Sequence, residues 1–345
     1  MHMADALLSP AVGGTLWAAT AGITAYSAKK VQKELDEQKV PLMGVLGAFV
    51  FAAQMINFSI PATGSSGHLA GGLLLAILLG PYAGFITMAS ILTIQALFFA
   101  DGGLLALGSN IFNLGFYSCF IAYPLIYKKI VGDEPTSGKI FLGSLLAAIV
   151  ALQLGAFSVV LETLFSGISE LPFQTFLLLM QPIHLAIGIV EGLITAAVVG
   201  FVWRARPEIL EHATKTKPVG NISIKHVLIG LLAVALLTGG AFSWFASADP
   251  DGLEWSIFHA SGKEELEADH DVHQSLAWLQ EQLSFLPDYD FKQTEPSHTE
   301  GAEESPSWPA VNAGTSLAGV VGVGLTLLFV GALGFGLHWV RKKNA

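Results

Sequence analysis

The first two residues and one loop histidine carry donor atoms for a metal chelate. Met1 offers an α-amine, and His2 offers a backbone nitrogen and the imidazole Nδ1, which together close a five-membered and a six-membered ring around one ion. These three nitrogens lie naturally in a plane, and His68, at the end of the small-residue loop 61–68, can supply a fourth. Nitrogen donors in square-planar array suit Ni(II) or Cu(II), whereas Mg(II) and Ca(II) prefer oxygen. The pattern predicts a metal site at Met1, His2 and His68.

A second group of polar residues lies within or at the ends of long apolar stretches. His184 and Glu191 are seven residues apart in one such stretch, and hence on one helix face. Ionisable groups in an apolar span are functional candidates by default, yet a hydrogen-bonded pair that holds helices together is the simpler interpretation. The residues that can orient the metal-binding histidines from a second shell, or only stabilise helices, are Asn57, Ser66, Gln95, Asn110, His184 and Glu191.

The elements that must position these residues are membrane helices. The chain has 345 residues, of which 52% are hydrophobic and 13% charged, against roughly 25% charged in a soluble domain. A membrane-spanning helix needs about 20 mainly apolar residues. Such stretches occur at about 6–28, 41–58, 82–100, 104–127, 140–165, 175–202, 226–247 and 315–340. A shorter stretch, 69–79, ends at Gly80–Pro81, where a helix must break. We predict an all-α integral membrane protein.

Basic residues indicate the topology, because Lys and Arg concentrate on the cytoplasmic side of membrane proteins. Four basic clusters occur, at 29–39, 128–129, 204–217 and 341–343. Nine crossings, with the short leg 69–79 counted, place all four inside. The N-terminus then lies outside and the C-terminus inside, and the loop of His68 shares the outer side with Met1 and His2. This common side strengthens the interpretation of a single site, because an isolated loop histidine is usually not a ligand.

A polar boundary between Arg204 and Asn221 divides the crossings into seven and two. We therefore predict a seven-helix metal-capturing bundle at 1–215 and an accessory two-helix module at 216–345.

The net charge of −10 belongs mainly to the outer segment of that module, 248–312. Fifteen of the 27 acidic residues lie between Asp249 and Glu304. The histidines among them are His259, His270, His273 and His298. Such a segment can attract divalent cations electrostatically, but a solvated acidic loop is the simpler interpretation.

Several other functions are disfavoured. No basic patch indicates nucleic acid, and Gly138-Lys139 is followed by Ile140 where a phosphate-binding loop needs Ser or Thr. An ATP-driven step therefore needs another chain. An intramembrane metallohydrolase would need a His-Glu-x-x-His pattern, which the sequence lacks, so we expect neither enzyme activity nor a cofactor. The apolar start carries Asp5 and has no basic region before it, so we expect it to be retained.

These motifs together resemble the substrate-specificity component of nickel and cobalt transporters of the energy-coupling-factor class. The first part carries Met1-His2, 64–69, 95–97, 101–104, 107–110 and 184–192, and the second part carries 248–255. The second part resembles the small accessory subunit of those transporters, so the chain resembles a natural fusion. In that family the ligands are the terminal amine, the backbone nitrogen and imidazole of residue two, and the loop histidine, which correspond here to Met1, His2 and His68.

The resemblance also implies partners, a location and a transported ion. It implies a transmembrane coupling protein and two cytoplasmic ATPases, in the lipid of the cytoplasmic membrane of a prokaryote. The loop 65–69 is closer to that of nickel members, so Ni(II) is expected as the transported ion, with Co(II) next, although the start at 3–6 departs from the commonest family pattern. The alternative is a passive or ion-coupled divalent-metal channel or carrier without ATPases. That alternative predicts inverted repeats and discontinuous helices, and we find no convincing repeat.

Overall fold

The computed structural model describes residues 2–34, 38–215, 223–263, 266, 270–292 and 308–344. Met1, Lys217 and His298, which the sequence predictions include, lie outside these described residues.

The described chain is almost entirely helical. Its α-helices are α1 (Pro10–Glu34), α2 (Lys39–Gln54), α3 (Gly72–Leu79), α4 (Pro81–Phe98), α5 (Leu107–Ile111), α6 (Lys128–Val131), α7 (Ser137–Ser166), α8 (Phe173–Ala205), α9 (Pro207–Thr214), α10 (Lys225–Gly240), α11 (Gly252–Ser261), α12 (Asp271–Leu283) and α13 (Ala313–Asn344). A π-helical stretch, Phe112–Tyr127, joins α5 to α6. The strands β1 (Phe58–Ile60) and β2 (Ser65–Gly67) form a small antiparallel hairpin.

Four of the described helices are long and apolar enough to cross a membrane: α4, α7, α8 and the part of α13 from Ala313 to Arg341. The apolar helices α2 and α10 are shorter, with 16 residues each, or about 24 Å. These helices fall on the apolar stretches of the sequence, which confirms the prediction of a helical, multi-pass membrane protein. The division into seven and two crossings stays a prediction.

The chain breaks between α3 and α4, as the Gly80–Pro81 pair predicts. Gly80 adopts φ 84° and ψ 163°, and Pro81 begins α4. The α3 helix has only eight residues, or about 12 Å, so it covers less than half of a hydrocarbon core of roughly 30 Å. The short leg 69–79 that the nine-crossing topology counts is therefore not a membrane-length helix by itself. The prediction of a helix from residue 69 is wrong at its start, because residues 68–71 are not helical. This unwound segment follows the hairpin and carries His68.

The accessory module lies against the first part of the chain on two sides. Its helices α10 and α13 pack against α2 and against each other. Its outer segment folds back over the loops of the first part: His273 of α12 is buried, with its Nε2 2.8 Å from the Leu8 carbonyl oxygen. Gln280 donates hydrogen bonds to the carbonyls of Ala96 and Gly102. The interpretation of this segment as a merely solvated acidic loop is therefore wrong for its described residues.

Candidate metal centre

The side chains of His2 and His68 lie next to each other. Their rings are stacked, with centroids 5.0 Å apart and an interplanar angle of 4°. The His68 Nδ1 lies 2.9 Å from the carbonyl oxygen of Leu69. A neutral imidazole that donates its Nδ1 proton there presents Nε2 as its metal-binding nitrogen. Burial lowers the pKa of His68 to about 3, so this imidazole is neutral near pH 7, which is the form that binds metals.

The backbone next to His2 is held in place by Asn110 of α5. Asn110 accepts a hydrogen bond from the Met3 amide at 2.8 Å and donates one to the Met3 carbonyl at 3.2 Å. The Gly103 amide donates to the same carbonyl at 2.9 Å. Gly102 has φ +81°, and a Cβ there would lie 2.8 Å from Asn110 Nδ2 and 3.3 Å from His2 Cβ. A glycine is needed at this position, because it combines a left-handed backbone with close contact to the N-terminal segment.

Asp101 contacts the imidazole of His2. Its Oδ1 lies 3.0 Å from His2 Nδ1, and its Oδ2 accepts a hydrogen bond from the Tyr289 hydroxyl. Burial alone would raise the pKa of Asp101, but His2 and the Tyr289 hydroxyl outweigh it and hold that pKa well below its usual range. The carboxylate is therefore ionised and joins His2 to the accessory module.

A second carboxylate of the accessory module faces His68. Asp251 Oδ2 lies 3.9 Å from His68 Nε2. Asp251 is the N-cap of α11 and forms a capping box with Glu254, which fixes its side chain. The Ser66 amide donates to the Pro250 carbonyl at 2.8 Å, and the Ser66 hydroxyl donates to the Asp249 carbonyl at 2.8 Å. The strand before His68 is thus bonded to the segment that begins α11.

Glu191 holds the unwound segment that follows His68. Its two carboxylate oxygens accept hydrogen bonds from the amides of Ala70, at 2.7 Å, and Gly71, at 3.1 Å. Gln54 donates to the Ala70 carbonyl at 2.9 Å, and Gln95 in turn donates to Gln54 at 3.0 Å. Glu191 is near the middle of α8, which has 33 residues. Non-helical backbone at such a depth in a membrane is tolerated only where protein groups satisfy it, and Glu191 and Gln54 do so here.

His184 and Glu191 do not form the hydrogen-bonded pair that their spacing suggests. His184 Nδ1 lies 2.8 Å from the Met180 carbonyl oxygen, one turn earlier in the same helix. The residue lines a cavity of about 10 Å³ together with His68 and Asp251, which is close to the size of one water molecule. His184 is therefore beside the centre. Asn57 accepts a hydrogen bond from the Ser247 amide through its main-chain carbonyl, at 2.7 Å, and so joins the segment before β1 to the accessory module.

Three side chains at the centre were not predicted as site residues: Asp101, Asp251 and Tyr289. Asp101 carries a recognisable signal, since it is an acidic residue before Gly102-Gly103 in an outer loop. Asp251 and Tyr289 come from the accessory module and are more than 180 residues from their partners. Their side chains have no local pattern that places them at the centre.

Two family profiles match the chain. The profile described as "Cobalt uptake substrate-specific transmembrane region" matches residues 2–209, and the profile of the PDGLE domain matches residues 225–338.

Individual relatives match one or both of these parts. The "Putative fused nickel transport protein NikMN" of Archaeoglobus fulgidus is 31% identical over 337 residues, which cover 98% of each chain. A "Putative metal transport protein" of Haloquadratum walsbyi is 37% identical over 210 residues, 61% of this chain and 93% of that protein. Among solved structures, a truncated transition metal transporter has 32% identity and a TM-score of 0.53, and the match covers 59% of this chain and 99% of that one.

Proposed function

The chain belongs to the family of the cobalt uptake substrate-specific transmembrane region, here followed by a PDGLE domain, and we propose that it captures Ni(II) for import through the cytoplasmic membrane. The observation that carries this proposal is the stacking of the His2 and His68 imidazoles, whose side chains are each 8% exposed. They lie beside an N-terminal segment that Asn110 holds by its backbone. Two adjacent imidazoles next to a fixed chain terminus supply most of a nitrogen donor set.

The proposed chelate uses the Met1 amine, the His2 amide nitrogen, His2 Nδ1 and His68 Nε2. In the structure His2 Nδ1 faces Asp101. A turn of the ring by 180° about the Cβ–Cγ bond releases Nδ1 for the chelate and puts Cδ2 in its place. Nε2 then lies on the same edge of the ring, one atom beyond Cδ2, and the Asp101 carboxylate must shift to accept from it. Within the described residues, no group of three or more His, Cys, Asp or Glu side chains is placed to hold a metal. Main-chain nitrogens are therefore the best available donors to complete four-coordination.

Ni(II) is the preferred cargo on chemical grounds. Four nitrogens in a plane suit Ni(II), and Ni(II) exceeds Co(II) in the general order of affinities of divalent metals for nitrogen ligands. The fused relative from Archaeoglobus fulgidus is named as a nickel transport protein, which supports this choice.

We assign the energy supply to separate chains. The sequence has no phosphate-binding loop, so a transmembrane coupling protein and two cytoplasmic ATPases would drive release of the ion to the inside. Residues 1–215 bind the metal from the outer side of the membrane, and the 216–345 module covers the site on that side. The N-terminus lies outside and the C-terminus inside. The alternative is a passive or ion-coupled channel or carrier. The discontinuity between α3 and α4 at Gly80–Pro81 is the feature that favours it.

Titration and vesicle transport test this function together. We expect the purified chain, with an unmodified N-terminus, to bind one Ni(II) more tightly than Co(II), and Mg(II) least. Reconstituted vesicles should accumulate Ni(II) only with the coupling protein, the ATPases and ATP. Ni(II) uptake by vesicles that contain this chain alone, at a rate independent of ATP, would establish the channel alternative and overturn the coupled mechanism.

Acidification is expected to weaken Ni(II) binding by about 100-fold per pH unit below the α-amine pKa, which is ordinarily near 7.7–8.0. The reason is that the ion displaces one proton from the amine and one from the His2 amide. His68 adds no further proton in this range, because burial lowers its pKa to about 3. Titrations at several pH values between about 6 and 8 measure the slope. An affinity that does not change with pH would exclude the amine and the amide as ligands.

A further inference from the structure

The turn that follows α12 has an unusual backbone. Asp288 has φ 50° and Tyr289 has φ 59°, so two consecutive residues with side chains adopt the left-handed conformation. Residues with side chains rarely adopt this conformation, and it persists where the surrounding structure holds it. Here the amide of Asp288 donates to the Phe99 carbonyl at 2.8 Å, and the amide of Leu286 donates to the Phe98 carbonyl at 3.3 Å. The turn is thus fixed to the end of α4, directly before Asp101.

This left-handed turn places the side chain of Tyr289 next to the carboxylate of Asp101. Its ring stacks on Phe99, with centroids 5.0 Å apart and an angle of 20°, and contacts Phe51 edge-on at 6.1 Å. Its hydroxyl donates a hydrogen bond to Asp101 Oδ2 at 2.5 Å. Burial raises the pKa of Tyr289 well above its usual value of 10, so the phenol keeps the proton that it donates.

The Asp101 carboxylate therefore contacts one residue of the N-terminal segment, His2, and one residue of the accessory module, Tyr289. One oxygen accepts from Tyr289, and the other lies 3.0 Å from His2 Nδ1. Once the ring has turned to give Nδ1 to the proposed chelate, the nitrogen left for this carboxylate is Nε2. A carboxylate that bonds to a metal-binding histidine fixes the orientation of the ring and increases its basicity, and it does so best when it is itself held by a further donor.

We propose that Tyr289 of the accessory module is a positioning residue of the metal centre, and that its hydroxyl orients His2 through Asp101. This role rests on the proposed function of His2 as a ligand. It gives the accessory module a part in metal affinity itself, separate from any part in energy coupling. A phenylalanine at position 289 would pack against Phe51 and Phe99 in the same way. Packing therefore does not require the hydroxyl, whereas orientation of Asp101 does.

The test is Tyr289→Phe in the full chain with an unmodified N-terminus, titrated with Ni(II). Loss of a partner in the outer shell of a metal site typically lowers affinity by about 10- to 100-fold, and we expect a loss in this range. The ligand-field absorption of the bound Ni(II) should change as well, because the His2 ring is less well oriented. Tyr26→Phe is the matched control, since Tyr26 is exposed on α1, about 24 Å along the helix from Pro10, and it should bind like the wild type.

A double-mutant cycle with Asp101→Ala separates positioning from packing. If Tyr289 acts through Asp101, then Tyr289→Phe should not weaken binding further once the carboxylate is gone. Additive losses, or a Tyr289→Phe chain with unchanged affinity and spectrum, would overturn the role of the hydroxyl while the proposed function stands. A wild-type chain that binds neither Ni(II) nor Co(II) would overturn the proposed function and this role with it.

Discussion

Two residues added ahead of Met1 are expected to weaken Ni(II) binding by about 60- to 700-fold. The addition turns the α-amine into a peptide nitrogen and moves the new amine out of reach of the His2 chelate rings. If four donors share roughly 10–16 kcal/mol equally, the loss of one costs about 2.5–4 kcal/mol, which corresponds to a factor of about 60 to 700. Calorimetric titration of the purified chain measures this change. A single added residue is a weaker design, because His2 would then be third in the chain, where the amine, two amides and the imidazole can form a new planar chelate.

The matched control is the same two residues added after Ala345, at the other end of the chain. That extension leaves every proposed donor in place and should bind Ni(II) like the wild type. Normal binding by the N-terminally extended chain would show that neither the Met1 amine nor the chelate rings built on it are needed. The site would then have to be sought at His68, His184 and Asp251, which line one small cavity.

The helices of this chain can largely be predicted from its sequence, whereas the unwound segment 68–71 cannot. Long apolar runs place the helices, and Gly80–Pro81 places the break between α3 and α4. Leu69 and Ala70 are apolar too, so nothing local distinguishes the unwound segment from the helix that follows. The residue that makes unwinding tolerable is Glu191, which is 121 residues from Ala70. When a distant side chain such as Glu191 bonds to the backbone amides of a segment, the sequence of that segment shows no pattern that reveals it.

In the site, too, the residues that ligand chemistry identifies can be predicted, whereas those that depend on long-range contacts cannot. His2 and His68 are predictable as a pair of donors because their ligand chemistry depends on residue type and on the chain terminus. The structure places them in contact. Tyr289 reaches Asp101 across 188 residues, and it does so through a turn whose two left-handed residues are neither Gly nor Asn. Its position depends on how the accessory module docks, which composition and spacing do not determine.

Glu191→Gln is expected to weaken Ni(II) binding by about 100-fold, with faster hydrogen exchange at the amides of Ala70 and Gly71. The carboxylate accepts from both amides, but a glutamine has one acceptor oxygen and turns its NH₂ group toward the other amide. One hydrogen bond is lost and one buried amide donor is left unpaired, at a combined cost of about 3 kcal/mol. Release of the unwound segment lowers the fraction of chains with His68 in place, and the apparent affinity falls by that fraction. Titration and amide exchange measure the two effects separately.

Glu162→Gln is the matched control, because Glu162 is also a buried carboxylate within a membrane-spanning helix. Its oxygens accept from Asn113 Nδ2 at 3.1 Å and from the Ser158 hydroxyl at 3.0 Å. Both partners are side chains that can rotate to suit an amide, whereas the backbone amides at Ala70 and Gly71 cannot. We therefore expect Glu162→Gln to keep most of the affinity. Equal losses in the two variants would mean general destabilisation, and an unaffected Glu191→Gln would mean that the His68 loop is held by its other contacts, Gln54 and the accessory module.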